Sequence, residues 1–401
     1  MTYMTELSDF AMERAAGCPF DPAPTLSEHQ QERPMRRVRL WDGSTPWLVT
    51  SYAEQRALLG DPRASAEITS PGFPNFAKDF GKSGLSFVMM DDPEHNRLRR
   101  TVISRFTVKR VEAMRARVQE IVDEQLDSML AGPKPVDLVA EFALPVPSLV
   151  ICELLGVPYA DHDFFQDNSR MILLQEATPE ERTAAVVALA GYLRGLVDER
   201  ITDPGDDMLS GLTDRIRSGE LTAEEATDIG VLMLLAGHET TANMIALGTL
   251  VLLESPGQLA LLRENLDDPK LVASAVEELL RYLTIAHGGR RRAALEDITI
   301  GGQTIRAGEG MILVNETGNR DPAVFADPDR LNLRRDARSH LSFGFGVHQC
   351  LGQPLARLEL QLVYSTLFRR VPTLALATSL DRISFKDDGF VYGVYEMPVT
   401  W

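Results

Sequence analysis

Ten residues concentrate the chemistry of this chain: Phe343-Gly344-Phe345-Gly346-Val347-His348-Gln349-Cys350-Leu351-Gly352. A cysteine ends a glycine-rich turn, and the run Pro354-Leu355-Ala356-Arg357-Leu358-Glu359-Leu360 reads as the start of a helix. Gly344 and Gly346 permit backbone angles closed to other residues and leave room for a flat ligand close to the chain. The sulfur faces the positive end of that helix and nearby backbone N–H groups, a setting that favours thiolate over thiol. A thiolate in a tight loop beside a large aromatic, Phe343, is what axial ligation of haem iron requires.

A second constellation is Ala236-Gly237-His238-Glu239-Thr240-Thr241, in the middle of an apolar helical run from Leu221 to Glu254. A glycine and two threonines are locally unfavourable in a helix. Threonine can bond the carbonyl one turn back and bend the helix, opening space for a small ligand such as dioxygen. Two further patterns are bland when read alone. Glu278-x-x-Arg281 has the spacing of an ordinary helical ion pair, and His95 and Arg99 form a basic pair on one helix face.

The elements that position these residues are mostly helical. From about residue 94 to 285, apolar residues recur at three and four spacing, as in Val108 to Leu130 and Ala184 to Ile201. Thr222-x-x-Glu225 reads as a capping box opening the longest run, about 32 residues and therefore about 48 Å long. Asp92-Pro93-Glu94 reads as a helix start with proline in the first helical position. Short strands are expected as a hairpin, Val38–Trp41 with Pro46–Thr50. More follow from Ile298 to Val314, with turns at Gly301-Gly302 and Ala307-Gly308, and in the tail after Ile383. The expected fold class is mainly α with small sheets.

Composition narrows the function classes. The net charge is −17, from 58 acidic against 41 basic residues, which argues against nucleic acid as a partner. Three scattered cysteines, Cys18, Cys152 and Cys350, make no disulfide framework and suit a reducing cytoplasm. The stretch from Ile229 to Leu253 is apolar enough to suggest a membrane span, yet Glu239 at its middle would cost roughly 2.5–3.5 kcal/mol in lipid. A buried helix with a working polar patch fits better, and no secretory leader is visible at the N-terminus.

The spacing Phe-x-x-Gly-x-x-x-Cys-x-Gly, ending at Gly352, closely resembles the haem-binding signature of the cytochrome P450 family. Ala236–Thr241 is similar to that family's oxygen-activation motif, and Glu278-x-x-Arg281 to its Glu-x-x-Arg. Gly17-Cys18-Pro19-Phe20, Phe106-Thr107-Val108-Lys109-Arg110 and Gly156-Val157-Pro158-Tyr159 further resemble soluble actinobacterial members of the family 105 group. The resemblance spans essentially the whole chain and implies a single P450 domain over residues 1–401, a helix-rich triangular prism.

By that resemblance Cys350 ligates the iron of haem b, and Glu239 and Thr240 deliver protons to bound dioxygen. Phe343, Gly344, Gly352, Ala236 and Gly237 border the haem, and His95, Arg99, Arg292 and His348 hold its propionates. Which of the three adjacent arginines 290–292 turns inward stays open. Glu278, Arg281 and Arg335 form a structural network behind the cysteine loop; Asn332 stands where the family often has an acid. Met89, Met90, Leu235, Thr241, Ile285 and Phe390 are expected in the substrate pocket, beside a loop from Ser65 to Val88.

The implied activity is monooxygenation, hydroxylation or epoxidation, of a bulky apolar molecule such as a macrolide, polyene, statin-like, steroid or terpenoid compound. Electrons come from a ferredoxin and ferredoxin reductase. Arg97, Arg100, Arg105, Lys109, Arg110 and Arg357 are expected to form a basic patch that steers the acidic donor. A monomer without membrane attachment is implied. Two alternatives stay open: a peroxide-driven peroxygenase, and a haem-based gas sensor or carrier without turnover.

Overall fold

The computed structural model describes residues 9–10, 14–15, 18–75, 86–173, 177–387 and 391–401. Helices dominate, and the chain gathers into two compact units. The first unit holds residues up to 84, 88–92 and 277–350; the second holds 85–87, 93–276 and 351–401.

The first unit is built on a five-stranded sheet in the order Met35–Arg37, Trp47–Val49, Gly310–Leu313, Arg290–Ala294, Ala64–Ser65. Strand alternation sends successive side chains to opposite faces. Met311 and Leu313 join Met35, Val49, Leu58 and Leu59 in one core. Ile312 and Leu48 join Leu26, Val38 and Leu40 in the other. The expected hairpin forms, but its first regular strand is Met35–Arg37, paired Met35 with Val49 and Arg37 with Trp47. Val38–Trp41 continues it irregularly, with Val38 N–H on the Pro46 carbonyl and Leu40 N–H on Ser44. Ile298–Ile300 and Gln303–Ile305 form a separate hairpin through Gly301-Gly302, both at positive φ.

The second unit is helical around one axis, the long helix Ala223–Leu253 of 31 residues. The capping box is present: Thr222 Oγ1 accepts from Glu225 N–H and the Glu225 carboxylate accepts from Thr222 N–H. Two orphan donors of the first turn are thereby satisfied. The helix packs on Pro145–Leu155, Pro179–Thr202, Met208–Arg217 and Gln353–Arg370. The run Val108 to Leu130 is two helices, Val108–Ala113 and Arg115–Ala131, meeting at Met114. Pro93 caps the helix Glu94–Val102 from just outside rather than opening it. The tail strand Pro398–Thr400 lies between Val136–Asp137 and Ala375–Leu376. Among the described residues no single helix is long and apolar enough to cross a membrane.

Candidate active site

In the first unit the cysteine loop is a chain of tight turns. Gly344 N–H donates to Leu341 O at 2.8 Å, and Cys350 N–H donates to Phe343 O at 2.8 Å. Gly344 (φ +72°) and Gly346 (φ +75°) sit in the left-handed region that favours glycine. A side chain at either position would also meet a neighbour. A Cβ on Gly344 would meet the Arg290 guanidinium at 3.2 Å, and one on Gly346 would meet Leu59 O at 2.4 Å. The left-handed backbone favours glycine at both positions, and at Gly346 the close approach of Leu59 adds to it. Cys350 itself is partly exposed, and the helix Gln353–Arg370 begins just beyond Gly352.

The other two cysteines are chemically different. Burial pushes the Cys152 thiol up to about 12, and burial also raises Cys18. Neither is poised as a thiolate.

Behind the loop stands the expected network, and its Glu278–Arg281 pair is fully buried. Arg281 Nε donates to Glu278 Oε2 at 2.7 Å and Nη2 to Oε1 at 2.9 Å, with both side chains 0% exposed. Arg335 Nε and Asn332 N–H add donors to Glu278 Oε1 at 3.1 and 2.9 Å. At Asn332, where the family often has an acid, it is the backbone N–H that reaches Glu278. Arg281 Nη1 reaches the carbonyls of Asn319 and Pro328.

Asn319, a residue sequence reasoning missed, ties this network to the loop. Its Oδ1 accepts from Leu341 N–H, and its Nδ2 donates to Thr284 Oγ1 and Ser342 Oγ. Ser342 Oγ in turn donates to Leu280 O. His340 Nε2 lies 3.1 Å from Glu277 Oε2, pinning the loop to the same helix.

Along the strand Arg290–Ala294 the three arginines alternate between faces. Arg290 and Arg292 stand opposite Leu313 and Met311 and share a face; Arg291 stands opposite Ile312 and leaves by the other. Burial pulls Arg292 down to about 10, with the like charge of Arg290 adding to it. Met89, Met90, Ile285 and His348 are partly buried in this unit.

In the second unit, the long helix from Ile229 to Leu252 is buried except at Ala236, Gly237, Glu239 and Thr240. Its accessible stripe is thus the motif itself, and Leu235 and Thr241 flank it as buried neighbours. Thr240 Oγ1 bonds Ala236 O at 2.9 Å and Thr241 Oγ1 bonds Gly237 O at 3.3 Å, the one-turn-back pattern expected. The helix nevertheless runs unbroken through them. A Cβ on Gly237 would stand 2.8 Å from Ile151 Cδ1, so this glycine admits the neighbouring helix.

Glu239 is held by Lys386 Nζ at 2.8 Å and by Asn243 Nδ2 at 3.0 Å. Burial pushes the carboxyl up, but Lys386 prevails and holds it below the usual carboxylate range. His238 hydrogen-bonds Leu234 O, and burial keeps its pKa low.

His95 is 2% exposed on the helix Glu94–Val102, its ring 6.2 Å from Phe87, with Arg99 one turn on. The expected basic patch is partly spent: Arg97 pairs with Glu94 and Glu225, Arg105 with Asp206, and Arg357 bonds Gln353. Arg100, Lys109 and Arg110 stay exposed, without an ion pair among the described residues. Phe390 and residues 76–85 of the Ser65–Val88 loop lie outside the described residues, as does Gly17.

The first unit thus holds a glycine-turned cysteine loop with a buried Glu-x-x-Arg pair behind it, the two arrangements that the family resemblance implies. The chain belongs to the cytochrome P450 family, whose model matches residues 27–375. It is 54% identical over 398 residues to cytochrome P450 GfsF of Streptomyces halstedii, covering 98% of this chain and 96% of that one. It is 51% identical over 400 residues to CYP105Q4 of Mycobacterium marinum, covering 98% and 96%. The crystal structure of GfsF superposes with a TM-score of 0.94, covering 98% of this chain and all of that one. That of the mycinamicin VIII C21 methyl hydroxylase MycCI from Micromonospora griseorubida, bound to mycinamicin VIII, gives 0.92 at 41% identity, covering 98% and 100%.

The chain is a P450 monooxygenase with a helix-rich P450 fold. The family implies a haem, and the residues present fit one. Arg290 and Arg292 share a strand face without a carboxylate at ion-pair distance among the described residues, and Arg290 Nε is buried without a hydrogen-bond partner. A buried cation without a carboxylate partner, as Arg292 is, suits the anionic edge of such a macrocycle.

Proposed function

We propose that this chain, as one catalytic domain over residues 1–401, binds haem b through Cys350 and monooxygenates a bulky apolar small molecule. The Cys350 loop carries this reading, because its turns and its buried brace hold one partly exposed thiol in a single position. When bound, the haem supplies dioxygen activation and oxygen-atom transfer, with thiolate ligation favouring O–O cleavage.

The chain's own residues do the rest. Cys350 binds the iron, held by its N–H on Phe343 O. Phe343, Gly344, Gly352, Ala236 and Gly237 border the macrocycle, while His95, Arg99, Arg292 and His348 neutralise its propionates. Thr240 offers a hydroxyl on the accessible stripe of the long helix, and Glu239 carries protons to it from solvent. Met89, Met90, Leu235, Thr241, Ile285 and Phe390 orient the substrate and exclude water.

The substrate belongs among macrolide, polyene, statin-like, steroid or terpenoid compounds. Relatives named pentalenic acid synthase (47% identical) and mycinamicin VIII C21 methyl hydroxylase (43% identical) support that range. Dioxygen is the co-substrate. A ferredoxin, reduced by its reductase, docks on the side carrying Arg100, Lys109 and Arg110, where exposed positive charge steers an acidic donor. The protein works in the cytoplasm as a monomer, without membrane or nucleic acid.

A visible-absorption titration of the ferric protein with a panel of these compounds tests the proposal. A low-to-high-spin shift with one group names the substrate class. Absence of bound haem contradicts the proposal.

A further inference from the structure

Three consecutive arginines open the strand Arg290–Ala294, and alternation parts them. Arg291 lays its guanidinium over the Phe73 ring, 5.4 Å from the centroid, and reaches the Pro74 carbonyl at 3.4 Å. Arg290 goes the other way, into the cysteine loop. Its Nη2 donates to Ser342 O at 3.2 Å, and its Nε stands 3.2 Å from the Cβ position of Gly344. The next carbonyl along the loop, Phe343 O, is the one that holds Cys350 N–H.

Arg290 is thus a cation set against the turn that presents the cysteine. It has no carboxylate at ion-pair distance among the described residues, and its Nε is buried without a hydrogen-bond partner. Burial draws the guanidinium down from its ordinary value, while the charges of Cys350 and Glu316 oppose that fall. A guanidinium keeps its charge in such a setting where an ammonium readily yields a proton. In a low-dielectric surround, a fixed positive charge favours whichever partner state carries one more electron.

From this geometry we propose that Arg290 sets the reduction potential of the haem, its charge on the Ser342–Gly344 turn favouring ferrous over ferric iron. The step concerned is one-electron reduction of ferric haem by the external donor, with no proton transferred. Arg290 is a positioning residue: it touches the loop and leaves substrate handling to others. This inference rests on Cys350 being the iron ligand.

Anaerobic spectroelectrochemical titration of haem-loaded wild type, R290Q, R290M, R290K and R291Q, at one pH and ionic strength, tests it. Each protein is first checked for a thiolate-type ferrous–carbon monoxide spectrum. Its absence in the wild type overturns the Cys350 assignment itself. With that spectrum present, R290Q and R290M are expected to lower the equilibrium constant for reduction about tenfold, about 59 mV for one electron. R290K stays within about twofold of wild type, and R291Q, with the same change in net charge, does not move. If R290Q or R290M matches R291Q, or R290K falls as far as either, the charge of Arg290 does not set the potential. Should neither neutral variant load haem, R290K decides, a tenfold fall overturning the proposal.

Discussion

Lys386 Nζ stands 2.8 Å from Glu239 Oε1, a contact that spans 147 residues of chain. The two side chains are 21% and 16% exposed, so solvent screens the pair only in part. The expected proton carrier of the long helix is therefore a lysine-clamped carboxylate, further tied by Asn243. To collect a proton from solvent, Glu239 must exchange this clamp for water.

Replacing the lysine tests that relationship. K386M removes the attraction that holds Glu239 low, leaving burial to push the carboxyl up. The turnover limb governed by Glu239 then moves to higher pH, read as kcat against pH for the two proteins. In the wild type Glu239 is depressed on folding, so its contribution is present above the unfolded-state pKa and lost as pH falls through the folded one. K386M loses that contribution near neutral pH, and its denaturation midpoint becomes less acid-sensitive.

Thr240→Ala removes a hydroxyl that now rests on Ala236 O, without disturbing the helix around it. Haem content stays at the wild-type level, while coupling of reducing equivalents to product falls on the order of tenfold or more. Hydrogen peroxide appears in place of product. Coupling equal to wild type refutes the proton-delivery role.

The Glu278–Arg281 pair is the costliest to break. R281M leaves a fully buried carboxylate short of its main partner, and about 3–5 kcal/mol of stability is expected to go with it. Because Arg281 also holds the Asn319 carbonyl, and Asn319 holds Leu341, the cysteine loop loosens and haem-loaded yield drops. The double variant E278M/R281M is less unstable than the sum of the two single losses, since no unpaired charge remains. Denaturant midpoints of the four proteins check this.

Much of the site was legible because it is local in sequence. The cysteine loop, the capping box at Thr222 and the back-bonded threonines each lie within a few residues, where turn and helix geometry leave few choices. The Glu-x-x-Arg pair looked bland by spacing alone, and only its burial separates it from a surface pair. Arg290 could have been paired with Arg292 from strand period alone, once the strand was placed. Lys386 and Asn319 could not be found this way, because their contacts lie 147 and 22–38 residues off and depend on tertiary packing. Glycine at 344 and 237 signals close approach, and the neighbours a Cβ would meet there, Arg290 and Ile151, are supplied by tertiary packing. Residue type reports that space is needed, not what occupies it.

Glu359 makes a prediction independent of turnover. It is buried on the helix Gln353–Arg370, its Oε2 has no hydrogen-bond partner, and burial raises its pKa well above the ordinary carboxylate value. A folded-state pKa above the unfolded one gives stability that is full at low pH and falls as pH rises from about 4.3 toward the folded value. E359Q is therefore expected to melt about 2 °C higher than wild type near pH ~7. At pH ~4 the two should melt together. Thermal melts at the two pH values decide it.

Whether the Cys350 sulfur ligates the iron is read from a reduced carbon monoxide difference spectrum of wild type and Cys350→His. The wild type is predicted to give the thiolate-type band. Cys350→His keeps its haem, loses that band and loses monooxygenation. A wild type without haem, or a Cys350→His protein that retains the thiolate-type band, contradicts the account.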